Sequence, residues 1–119
     1  MKIHYIALFL VTISNLSYAA CAGSSVYEEI ACYEKQYKAD KTELNKTYQS
    51  LYKSFDATNQ KLLENSQKAW LNYREIQCNQ LLSNLSKDAA GAGIGLINLS
   101  CNANLTHLRI KELKGLKLD

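Results

Sequence analysis

The side chains best suited to covalent or metal chemistry in this 119-residue chain are four cysteines and, beyond residue 20, a single histidine. Cys21, Cys32, Cys78 and Cys101 form an even set in a stretch the size of one small domain, the pattern of an exported chain supported by two disulfides worth ~2–4 kcal/mol each. Cys101 and His107 alone do not make a zinc set, so neither a metal nor a cofactor is expected. No strained nucleophile turn and no paired acids stand out, and the chain is not expected to be an enzyme.

The densest cluster of functional side chains is "AWLNYREIQC", residues 69–78. On a helix advancing about 100° per residue, Trp70, Tyr73, Arg74, Gln77 and Cys78 fall on one face. Such a stripe is expected to be core, its indole N–H, phenol and guanidinium finding partners at the edge. The same composition, if exposed, would be that of an interface hot spot. "GAGIG", Gly91 to Gly95, has the glycines of a nucleotide-binding loop but follows a helical pattern rather than a strand, so it is expected to be a helix–helix connection open to a partner. Asn45, Asn84, Asn98 and Asn104 head glycosylation-type triplets, a short pattern whose meaning depends on the cell.

Helices must position these residues. Proline is absent and glycine occurs only at positions 23, 91, 93, 95 and 115. From about Ser25 to Phe55, Tyr27, Ile30, Tyr33, Tyr37, Leu44, Tyr48, Leu51 and Phe55 recur at helical spacing, with lysines between them. Asp56 or Thr58 can cap a second helix reaching about Asn84. A third is expected from Leu96 to about Leu113, with Leu99, Leu105, Leu108 and Leu113 inward and Lys111, Lys114 and Lys117 suited to its negative end. The fold class is therefore all-α: a long antiparallel helical hairpin with a third packed helix, stapled by disulfides. Helix geometry leaves the pairing open, since Cys21–Cys32 with Cys78–Cys101 and Cys32–Cys78 with Cys21–Cys101 are both within reach.

Residues 1–20 read as a signal peptide: Lys2, an apolar run from Tyr5 to Ile13, then a small-residue cleavage site at Ser17 to Ala19. The apolar run is shorter than the ~20 residues of a membrane span. The domain is then 21–119, exported to the periplasm or secreted. Ala19-Ala20-Cys21 also approximates a lipoprotein box; membrane anchoring is expected only if Cys21 is acylated. The net charge of +3 becomes +2 when Lys2 leaves with the signal, too little to argue for nucleic acid or a membrane surface.

Cys32, "YKADKTELNKTYQSL", "SQKAWLNYREIQC" and "CNANLTHLRIKEL" together resemble the bacterial family of the lysozyme inhibitor LprI. The matching positions include Tyr48, Trp70, Tyr73, Arg74, Cys78, Cys101 and Arg109. The resemblance implies an exported, helical, disulfide-bonded bacterial protein with Cys21–Cys32 and Cys78–Cys101 paired. It also implies a protein partner, a lysozyme or another peptidoglycan hydrolase, with Tyr48, Trp70, Tyr73, Arg74 and Arg109 in structural roles. An immunity protein against a delivered toxin, or an envelope-stress interaction protein, would share every one of these features. An inhibitor steered toward a basic lysozyme would be expected to be acidic. Against the mature charge of +2, a local acidic patch such as Glu28, Glu29 and Glu34 near the start of the first helix could still serve.

Overall fold

The computed structural model of the chain describes residues 21–89 and 91–117, so the expected signal peptide lies outside the described residues. Ser25 starts α1 (Val26–Ser54) as its N-cap, the hydroxyl accepting the Glu28 N–H at 3.3 Å. The Glu28 carboxylate reaches back to the Ser24 N–H and hydroxyl at 2.8 and 2.7 Å, so donors at the helix start are satisfied reciprocally. Phe55 leaves the helix in an extended conformation, and Asp56 caps α2 (Ala57–Arg74) by accepting the Asn59 N–H at 2.8 Å.

Beyond Arg74 the rod continues without a break through a π-helical segment, Glu75–Leu81, into one further α-helical turn, α3 (Leu82–Leu85). In an ideal α-helix Cys78 would sit about 80° round from Trp70. The wider π turns rotate less per residue and bring Cys78 back toward the Trp70 side, where it meets Cys101. After the connection, Gly91 takes a left-handed φ of 59° that other residues adopt at a cost, and α4 (Gly93–Lys114) follows. The third helix thus starts before the expected Leu96 and absorbs Gly93 and Gly95.

The rod runs antiparallel to α1, and α4 returns parallel to α1. Asp40 lies beside His107 and Glu43 beside Lys114, whereas Gln67 meets Arg109 and Ser83 meets Asn98. The most extensive packing is between α1 and α4. The larger apolar cluster, near the hairpin turn, contains Leu44, Leu51, Leu63, Ile110 and Leu113, with Tyr48, Tyr52, Phe55 and Trp70 against it. A smaller one near the start of α1 contains Cys21, Tyr33 and Ala103, flanked by Tyr37, Leu96 and Leu99. Cys21–Cys32 and Cys78–Cys101 are the two disulfides, with Cα–Cα distances of 5.7 and 5.5 Å.

On α1 and α4, two residues expected to face inward do not. Leu108 is 52% exposed because α4 turns Asn102, Ala103, Thr106, Arg109, Ile110 and Leu113 toward its neighbours, and Leu108 falls on the far side from Thr106. Tyr27, in the first turn of α1, is exposed two turns before Tyr33, where burial against α4 begins. Among the described residues, no helix is long and apolar enough to cross a membrane.

Candidate functional site

Beyond the apolar cluster, the contact between the rod and α4 is a polar seam, and it gathers most of the motif residues. Arg109, a buried cation, donates from Nε to Gln67 Oε1 at 3.1 Å, from Nη2 to Ser66 Oγ at 2.8 Å and from Nη1 to Glu112 Oε2 at 3.0 Å. Arg74 donates to Thr106 Oγ1 at 2.9 Å, and the Thr106 hydroxyl in turn donates a hydrogen bond to the Asn102 carbonyl at 2.7 Å. The seam continues through Asn102 Nδ2 to Asn79 Oδ1 and Asn98 Nδ2 to Ser83 Oγ, each at 2.8 Å.

Trp70 lies against both guanidinium groups, with Arg74 Cζ 4.9 Å and Arg109 Cζ 5.8 Å from its ring. Arg74 also lies 5.7 Å from the Tyr37 ring of α1. The result is an alternating stack of aromatic face and cation joining all three helices, each contact worth ~0.5–2 kcal/mol according to its desolvation. On the other side of α4, His107 Nδ1 is 3.3 Å from Asp40 Oδ2. Tyr48 stacks on Tyr52, 6.1 Å between ring centres, and burial, then the Glu64 carboxylate, pushes its hydroxyl pKa up.

Trp70, Arg74 and Arg109 therefore come together, Tyr48 lies in the neighbouring apolar cluster, and Tyr73 belongs to neither. Tyr73 is 52% exposed, so the expected one-face grouping of Trp70, Tyr73, Arg74 and Cys78 is corrected. Arg74, one position on, takes the seam, and Tyr73 is turned onto the flank away from it. Sequence reasoning also overlooked Ser66 and Gln67, whose bonds to Arg109 lie 43 and 42 residues away along the chain and leave no local signature.

Of the acidic patch, Glu28 is tied to Ser24, whose hydroxyl and N–H hold its carboxyl below the usual range. A groove of about 940 Å³ opens at the hairpin end, bordered by Ser54, Phe55, Asn59, Leu62, Leu116 and Lys117. Among the described residues no three His, Cys, Asp or Glu side chains are placed to hold a metal.

The fold and seam define a small disulfide-stapled three-helix protein in which Trp70, Arg74 and Arg109 of the motif bridge the rod and α4. A family model described as "Lysozyme inhibitor LprI" matches residues 18–113, and the chain belongs to that family. It is also 33% identical over 99 residues to a protein of Rhizobium meliloti (strain 1021) described only as uncharacterised, an alignment covering 71% of this chain and 68% of that one. No solved structure matches the chain.

Proposed function

We propose that this protein is an exported inhibitor, periplasmic or secreted, that binds a peptidoglycan-degrading hydrolase and occludes its cleft without breaking a bond. The observation that carries this reading is the family match across residues 18–113. Two disulfides are consistent with an extracytoplasmic site of action, since such bonds persist in oxidising compartments. A stapled bundle that changes little on binding keeps the ordering cost of association low, which suits a blocker.

The mature charge of +2 gives no long-range attraction to a basic lysozyme. Affinity in this reading comes from close contact, and association proceeds at the unsteered rate of about 10⁵–10⁶ M⁻¹s⁻¹. The test is lysis of a peptidoglycan suspension by C-type lysozyme, with and without the oxidised mature protein in molar excess. Dose-dependent loss of lysis that survives an increase in salt is expected. Full lysis in the presence of helical, disulfide-bonded protein would remove the lysozyme reading and leave a dedicated toxin or an envelope component as the partner to seek.

A further inference from the structure

α4 stops short of the hairpin turn. Its last residue, Lys114, meets Glu43 at 2.9 Å, and α1 runs on past Glu43 for eleven residues to Ser54. The two legs of the hairpin therefore overhang the end of α4, and the groove of about 940 Å³ is the space left beneath the turn. Phe55, Leu62, Leu63 and Leu116 form its apolar wall, and Ser50, Ser54, Asn59 and Ser66 its polar one. Ser50 and Lys117 also border a second, smaller cup of about 410 Å³, lined by Glu43, Lys46, Thr47 and Lys114.

Hydrogen-bonding capacity in the groove is only half used. Ser66 accepts from Arg109 Nη2 at 2.8 Å and keeps its own proton to give, whereas Ser54 gives its proton to the Leu51 carbonyl at 2.8 Å and keeps a lone pair. One fixed hydroxyl is set to donate and the other to accept, beside an apolar wall. A hydrocarbon chain would leave both unpaired; a sugar ring, with C–H faces and hydroxyl edges, satisfies both. The cup supplies charge. Glu43 is the one carboxylate among its lining residues, and the Lys114 ammonium, helped by Lys46, holds its carboxyl below the usual range. Lys46 and Lys117 are left in excess. On the hairpin side of the Asp40–His107 pair, residues 41–66 and 109–117 carry eight Lys or Arg against four Asp or Glu, while the other described residues carry five against six. The small net charge thus hides a cationic half that attracts anions to the cup.

We propose that groove and cup together bind an acidic carbohydrate, its ring beneath the hairpin turn and its carboxylate beside Lys46 and Lys117. Both volumes lie in the ordinary range of small-molecule sites, roughly 300–1,000 Å³. Peptidoglycan offers this chemistry, since its amino-sugar strands carry carboxylate-bearing peptides, and that choice of ligand rests on the function proposed above. A protein that blocks a hydrolase is then also held on the polymer the hydrolase cuts.

The test is titration of the oxidised mature protein, with no hydrolase present, followed by backbone amide NMR shifts. The probes are N-acetylmuramyl dipeptide, an amino sugar joined to a free carboxylate, then neutral diacetylchitobiose, then acetate. Saturable binding of the muramyl probe is expected, with a dissociation constant on the order of 1 mM and shifts confined to residues 46–66 and 114–117. Chitobiose and acetate should each bind about tenfold more weakly or less. Replacing both exposed lysines, Lys46→Gln with Lys117→Gln, should weaken the muramyl probe about tenfold, and Lys35→Gln near the other end should change nothing. Circular dichroism establishes that each variant is folded. Equal binding of acetate reduces the cup to an anion trap, equal binding of chitobiose takes the lysines out of the site, and no shift up to about 10 mM removes it; each overturns the proposal. A positive titration beside a negative lysozyme assay keeps this site and discards the inhibitor reading, so the two failures are told apart.

Discussion

Arg109 carries a full charge into the interior on an α4 turn that also buries Ile110, and its three partners, Ser66, Gln67 and Glu112, account for every guanidinium nitrogen. Charge-assisted bonds of this kind contribute ~1.5–3 kcal/mol, and removing the cation strands the amide and hydroxyl it served. Arg109→Met is expected to lower stability by about 2 kcal/mol in urea titration, whereas Arg109→Lys should lose nearly as much because an ammonium cannot serve a fork of three acceptors. Glu28 offers a second test. Its carboxyl is held below the ordinary range first by the Ser24 hydroxyl, so the stability it contributes is present above the unfolded-state pKa and disappears as pH falls through the lower folded value. Melting temperatures of the parent and Glu28→Gln should therefore differ near pH 7 and converge below the usual carboxylate range. At this scale the aromatic and cationic residues of 70–74 were legible as a group, but their uses were not. Which of two adjacent residues, Tyr73 or Arg74, enters the seam depends on where Thr106 stands, 32 residues away.

Helix ends were the most legible elements, because caps are written locally. Ser25 and Asp56 are small oxygen-bearing residues placed just ahead of a helical run, and each accepts the N–H three residues on. Asp56→Ala should cost about 1 kcal/mol, read as a lower denaturation midpoint with an unchanged slope. The π segment left no such mark. It arises because one rod must present Arg74 to Thr106 and Cys78 to Cys101, a demand set by α4 rather than by residues 75–81. The inward side of α4 was misread for a related reason. Leucine periodicity was the guide, yet the face toward the rod is built of Asn102, Thr106 and Arg109, a polar stripe that looks like a solvent face in sequence.

Across the whole molecule, covalent and apolar support are unevenly shared. The larger apolar cluster lies toward the hairpin turn, where Leu51 and Leu113 are fully buried, and both disulfides lie toward the other half, around Cys21, Tyr33 and Ala103. The bridges close intervals of 11 and 23 residues and supply about 3 kcal/mol each on the loop-entropy account. That is comparable with the whole net stability of a domain this small. Reduction should therefore act on one half first. Hydrogen exchange of the reduced chain is expected to speed up in residues 26–40 and 96–103 while 44–63 and 109–113 stay protected, and uniform exchange along the chain would contradict this.

Such a division makes maturation sequential. A newly made chain could draw its hairpin half together unaided, yet would keep a ragged, protease-sensitive end until its thiols were oxidised. The oxidising capacity of the surrounding compartment would then decide how many finished molecules survive.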